Sequence, residues 1–234
     1  MKKLRELSLF FPAYNEEENL ERTVKKAIPV LKKVSQKYEI LIVDDGSKDD
    51  TGKIADRLVK EYSFVRVIHH QPNRGYGGAI QSGWYGAKYE WIAFTDADGQ
   101  FDFAEITKFI EKQEQTGADL VIGYYLKRAV SRMTILTSKL WELLVLLFFG
   151  LKVTDIDCGF KLVRRKVIKT IPRLESERGP FITSELLIKA KNKGFKIAEV
   201  GVYHYPRQGG AATGRNFEVI VSGFKDLIKL RLKI

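Results

Sequence analysis

The chain has 234 residues, 44% of them hydrophobic and 29% charged, the balance of one sizeable domain with its own core, and this excludes a disordered or fibrous chain. Its 40 Lys and Arg against 29 Asp and Glu give a formal charge of +11, which favours an anionic partner (nucleic acid, an acidic membrane surface or a phosphorylated substrate) without choosing among them. A single cysteine, Cys158, excludes an internal disulfide framework and fits a reducing compartment.

The apolar part of the opening "MKKLRELSLFFPAYN" is too short, and too soon broken by Pro12, to read as a signal peptide, so the body is expected in the cytosol. Leu7 to Phe11 reads as a first strand and Glu17 to Val34 as a helix. Glu39 to Val43 is a second strand, and Thr51 to Tyr62 a second helix with Thr51 at its N-cap. There follow a strand at Val65 to His69, a helix at Gly78 to Tyr89, a strand at Trp91 to Thr95, a helix at Ala104 to Thr116 closed by Gly117, and a strand at Leu120 to Gly123. Apolar runs alternating with longer amphipathic stretches predict an α/β domain with a mostly parallel central sheet flanked by crossover helices.

The second half is less regular. A long amphipathic segment runs from about Thr134 to Phe149, and the most hydrophobic stretch, Leu140 to Leu151, contains Glu142. It falls short of the roughly 20 residues of a membrane span and predicts a buried or interfacial helix. A helix at Glu185 to Lys193, closed by Gly194, precedes a strand at Lys196 to Val202. The last segment predicts a C-terminal amphipathic helix with Phe217, Ile220, Val221, Phe224, Leu227 and Ile228 on one stripe and Lys225, Lys229, Arg231 and Lys233 outside it.

Loops at the carboxyl ends of parallel strands form the crevice where ligands bind, and three acidic motifs fall there: "FPAYNEEENL", "IVDDGSKDDTG" and "TDADGQ". In the last, Asp96 and Asp98 offer carboxylates to a hard divalent cation, Mg²⁺ or Mn²⁺, with Gln100 as a neutral oxygen ligand. A solvated acidic turn is the alternative, and the continuous apolar strand before it favours the metal. Asp44 and Asp45 suit a helix N-terminus, where the dipole favours acidic residues, and a carboxylate there could also hold a nucleobase or ribose. "NRGYGGAIQSG" follows the third strand and does not spell G-x-G-x-x-G, so it predicts a glycine-rich turn that lets a ligand approach, not a dinucleotide fingerprint. Lys and Arg are scattered over many helix faces without an aromatic and basic platform, so no nucleic acid is expected. A nucleotidyltransferase would show basic residues after an early glycine-rich loop, where this chain is acidic.

"PAYNEEENL", "VDDGSKDDT", "NRGYGGAI", "DADGQ", "DCGFKLVRR" and "HYPRQGG" stand in the order and spacing of family 2 glycosyltransferases, and nearly the whole chain resembles their polyprenyl-phosphate branch, which includes dolichol-phosphate mannose synthase. The resemblance implies a single GT-A domain over 1–234, with a nucleotide-sugar half at 1–125 and an acceptor half with interfacial helices at 126–234. It implies that Pro12, Tyr14, Glu16 and Asp44 hold the nucleoside, that Asp96, Ala97 and Asp98 form the donor and metal motif with Gln100 beside it, and that Arg207 touches the donor diphosphate. Asp157 matches an acidic position near the acceptor, as a base or an orienting group. Where mannose synthases of this type carry G-S-R after the fifth strand, this chain has Gly123, Tyr124 and Tyr125, which passes the phosphate-binding role to Arg128 and Arg132; Arg215 replaces the basic residue after the later glycines. The implied reaction is inverting transfer from a GDP- or UDP-sugar to a dolichyl or undecaprenyl phosphate. It is expected at the cytoplasmic face of a membrane, peripherally, beside a membrane-embedded partner subunit. A saccharide or other non-lipid acceptor is the alternative.

Overall fold

A computed structural model describes residues 2–127, 132–207, 209 and 217–233. Strands β1 (Leu4–Ala13), β2 (Ser35–Asp44), β3 (Val65–His69), β4 (Trp91–Phe94), β5 (Leu120–Lys127), β6 (Lys161–Arg164) and β7 (Ile197–Tyr203) form one sheet in the order β3-β2-β1-β4-β6-β5-β7. β6 runs antiparallel to β4 and β5, and the other pairings are parallel.

Alternation along β1 explains the layers. Leu7, Leu9 and Phe11 join one buried cluster with Val24, Leu31 and Phe109, whereas Phe10 joins another with Trp84, Phe94 and Leu187. Helices α1 (Leu20–Val34), α2 (Thr51–Glu61) and α4 (Ile106–Thr116) therefore cover one face; α3 (Tyr76–Gly86) and α7 (Phe181–Asn192) cover the other. Phe10 stacks on Phe94 at 5.1 Å and meets Trp84 edge-on at 4.8 Å, fixing α3 to the sheet centre.

Several elements differ from expectation for identifiable reasons. α1 starts at Leu20, not Glu17, because the Glu16 and Glu17 amides donate to Thr51 and Asp49 on the neighbouring loop. Thr51 is correspondingly the first helical residue and not the N-cap, which is Asp50. β6 was not anticipated: K-L-V-R has neither the length nor the alternation of a strand, and pairing on both edges holds it. α7 begins at Phe181, four residues early, since every residue from Phe181 to Ala190 is buried and the sequence shows no polar face. The short α6 (Arg165–Thr170) also lacked a sequence signal.

α5 (Arg132–Phe149) and α8 (Phe217–Lys233) meet through Trp141 and Phe224, whose rings lie 5.4 Å apart. Val145, Leu227 and Leu230 face the core, while Leu140, Leu143, Leu147, Phe148, Ile228 and Leu232 are exposed. The 140–151 stretch is thus buried on one side and open on the other. Among the described residues no helix is long and apolar enough to cross a membrane.

Candidate active site

After β1 the chain moves outward to β2 and β3, then returns to β4 on β1's other edge, and the crevice opens where the order reverses. Pairing with β4 ends at Phe10 and Phe94, with the Thr95 amide reaching Phe10 O. Two residues on, position 12 faces the same way into the gap, so proline forfeits no sheet hydrogen bond there. Pro12 is buried and Tyr14 half-buried at the entrance. The first two motif loops are laced together: Asn15 N donates to Ser47 Oγ (3.0 Å), Lys48 N to Asn15 Oδ1 (2.8 Å), Glu16 N to Thr51 Oγ1 (2.7 Å) and Asp50 N to Glu17 Oε2 (2.9 Å).

Asp44 and Asp45 have different surroundings. Asp44 Oδ2 lies 2.8 Å from His69 Nδ1, and its Oδ1 accepts from Ser47 N at 3.0 Å. His69 Nε2 also meets Asp56 at 3.2 Å; burial opposes protonation of the ring, but the two carboxylates prevail and its pKa is raised. Buried Asp45 instead builds the next turn, lying 2.6 Å from His70 Nδ1 and accepting from the Arg74 and Gly75 amides at 2.9 and 2.8 Å. The close approach that the glycines of that turn allow is, at two of them, an approach of the chain's own backbone. A Cβ on Gly75 or Gly77 would lie 2.9 Å from Glu177 O or 2.4 Å from Ser176 O, so the glycines admit the 176–178 backbone.

At the crevice floor Asp96 accepts from Tyr76 Oη at 3.2 Å. Asp98 Oδ1 accepts from Gln100 N at 3.0 Å, and its Oδ2 lies 3.4 Å from Arg207 Nη1. Arg207 also donates to Glu16 Oε1 and, at 2.7 Å, to Gly209 O. Gln100 and Tyr205 exchange two bonds, Nε2 to O at 3.0 Å and N to O at 2.9 Å, which ties the loop after β7 to the one after β4. Ala97 is buried, its carbonyl accepting from Thr23 Oγ1.

The electrostatics of this floor are those of crowded anions. Desolvation, then repulsion from Asp98, push Asp96 up to about 8, and desolvation also raises Asp98 and Glu16 against the pull of Arg207. Among the described residues no three of His, Cys, Asp and Glu form a complete metal cage. Two under-neutralised carboxylates opening on a cleft, with the Gln100 amide oxygen nearby, suit a hard cation that completes its shell with phosphate and water.

In the 155–159 turn, buried Asp155 accepts from the Asp157 and Cys158 amides at 3.0 and 3.2 Å. The turn-forming aspartate is Asp155, and Asp157 stands half-buried beside it. Arg128 and Arg215 lie outside the described residues, as does the Arg132 side chain. Sequence reasoning missed His69, Tyr76 and the fully buried Lys161.

Residues 8–171 match the family described as "Glycosyl transferase family 2". A dolichyl-phosphate beta-glucosyltransferase of Saccharomyces cerevisiae is 33% identical over 84% of this chain and 66% of its own length. Glycosyltransferase AglD of Haloferax volcanii is 28% identical over 86% of this chain, which spans only 33% of that longer protein. The fold is shared with Mycobacterium tuberculosis glucosyl-3-phosphoglycerate synthase, crystallised with Mn²⁺, UDP and glucosyl-3-phosphoglycerate, at a TM-score of 0.70 and 21% identity over 96% of this chain and 77% of that one.

Proposed function

The chain belongs to glycosyl transferase family 2, and on that premise we propose that it moves a sugar, with inversion, from a nucleotide-diphosphate sugar to a polyprenyl phosphate. The observation that carries this reading is the meeting of Asp96, Asp98, Glu16 and Arg207 at the switch point of the sheet. The yeast dolichyl-phosphate relative supports the acceptor class. The Mn²⁺ and UDP in the mycobacterial enzyme support a divalent ion and a nucleoside diphosphate.

Asp44, with Pro12 and Tyr14 at the entrance, holds the nucleoside, and its carboxylate is oriented by His69 and Ser47 N. Asp96, Asp98 and the Gln100 oxygen would hold Mg²⁺ or Mn²⁺, which when bound offsets charge on the departing diphosphate. Arg207 turns its guanidinium from Glu16 and Asp98 towards that diphosphate. A lipid monophosphate has a second pKa near ~6 and is largely dianionic at neutral pH, so it attacks without a strong base. What remains for the protein is positioning and charge stabilisation, with Arg128 and Arg132 assigned to the attacking phosphate and Asp157 to the sugar or acceptor. The first half of the chain serves the donor and the second the acceptor, at the cytoplasmic face of a membrane and beside a membrane-embedded subunit.

Incubation with a panel of UDP- and GDP-sugars, Mn²⁺ or Mg²⁺, and either polyprenyl phosphates or small phosphorylated acceptors tests this by product mass. A glycosylated polyprenyl phosphate is expected. Product only on small acceptors overturns the lipid assignment, and no product with any pair overturns the reading. Asp98→Ala should lower kcat about 100-fold or more while the protein stays folded. Arg207→Lys should stay clearly impaired, since lysine lacks the forked donors.

A further inference from the structure

Lys161 is a lysine with no exposed surface, in a strand paired on both sides: opposite Phe94 of β4 and Ile122 of β5. Burying an ammonium is costly unless its donors and charge are matched, and an aliphatic residue would fill the sheet without that cost. The strand's alternation places the side chain on the face of Phe94, whose ring centroid is 6.0 Å from Nζ. The ammonium donates to the carbonyl of Cys158 and, at 3.3 Å, to that of Ile156. It sits in the field of Asp155, Asp157 and Asp96, and desolvation lowers its pKa. Both acceptors are backbone atoms of one turn, which Asp155 closes from the other side through the Asp157 and Cys158 amides.

That turn is pressed against the crevice floor. A Cβ on Gly159 would lie 2.2 Å from Asp96 Oδ2, so backbone and carboxylate are in close contact and a shift of one moves the other. The turn thus carries Asp157 at one point and braces Asp96 at the next.

We propose that Lys161 is a positioning residue of the transferase site: its buried ammonium ties down the Ile156 and Cys158 carbonyls, and so sets both the place of Asp157 and the seat of Asp96 against Gly159. The inference rests on the sugar-transfer reading above. Lys161 touches neither substrate; it acts through the turn.

Lys161→Met keeps the volume and apolar stem but removes the donors and charge. It should leave the melting temperature close to that of the unmodified chain, speed amide exchange across 155–160 but not in β1 or α1, and lower kcat about 100-fold, as expected for misplaced reacting groups. The KM for the nucleotide sugar should rise less than kcat falls, because Asp96 is unseated while the nucleoside side of the site at Pro12, Tyr14 and Asp44 is untouched. Lys161→Arg, which restores charge and donors, should recover part of the rate. Unmodified exchange in the turn, or unmodified kcat, in Lys161→Met overturns the proposal. If that variant does not fold, Gly159→Ala decides: its methyl group displaces Asp96 from the end of the turn while Lys161 keeps its donors, and it should reduce kcat in a folded protein; full activity overturns the coupling. A chain that transfers no sugar from any donor refutes the function, and the exchange measurement then still decides whether Lys161 holds the turn.

Discussion

At the scale of single residues, the acidic centre makes its own forecast. A carboxyl raised to about 8 binds its proton more tightly folded than unfolded, so Asp96 adds stability at low pH that is lost as pH rises from its ordinary value of 3.8 towards 8. Metal-free protein should lose part of its melting temperature across that window, and Asp96→Asn should flatten the loss. Mn²⁺ competes with the proton and should stabilise the chain more at pH 8 than at pH 5; equal stabilisation at both would remove Asp96 from the cation site. The D-A-D triplet stood out as a candidate because its carboxylates directly follow a continuous apolar strand. His69 and Lys161 were not, since one histidine or lysine in a sequence carries no mark of the carboxylate or carbonyl it meets across the fold.

At the scale of elements, α8 is clasped to the body. Glu175 pairs with Lys233 at 2.6 Å and Lys229 at 3.1 Å, which pull its pKa down to about 2, and Ser176 Oγ donates to Asp226 at 2.6 Å. The same loop continues into the glycine turn, where Gly78 N donates to Glu177 O and Arg74 pairs with Glu177. A depressed carboxylate contributes stability above its ordinary 4.5 that is lost as pH falls through 4.5 towards 2. Exposure keeps the contribution small. Glu175→Gln should therefore speed amide exchange in α8 at pH 7 and lose its difference from the unmodified chain in strong acid; no difference at pH 7 would show that the apolar contacts alone hold the helix.

At the scale of the molecule, the exposed faces of α5 and α8 form the candidate membrane surface. Leu147 and Leu232 are 72% and 84% exposed, and the contact of Trp141 with Phe224 sets the two helices side by side. The basic flank is smaller than the sequence suggests, for Lys229 and Lys233 are turned to Glu175, leaving Lys225 and Arg231 for anionic lipid. Flotation with anionic liposomes should carry the protein upward at low salt and less at high salt, and Leu147→Glu with Leu232→Glu should weaken it further. A protein that stays down at every lipid composition, yet glycosylates a polyprenyl phosphate in detergent, would discard the surface and keep the enzyme.

What the sequence determined by itself was whatever depends on neighbours along the chain. Apolar runs at strand length, helical periodicity and acidic motifs at strand ends located β1 to β5 and β7, most of the helices and the three acidic loops. Tertiary structure decided what depends on partners far away in sequence. It inserted β6, a four-residue strand held by edges from β4 and β5, and it buried α7 from Phe181 to Ala190, where a helix has no polar face to announce it. It set the 176–178 backbone against Gly75 and Gly77 of the glycine turn. It also brought Arg207 to Glu16 and Asp98, contacts spanning 191 and 109 residues, because the loops after β1, β4 and β7 converge only once the sheet has closed.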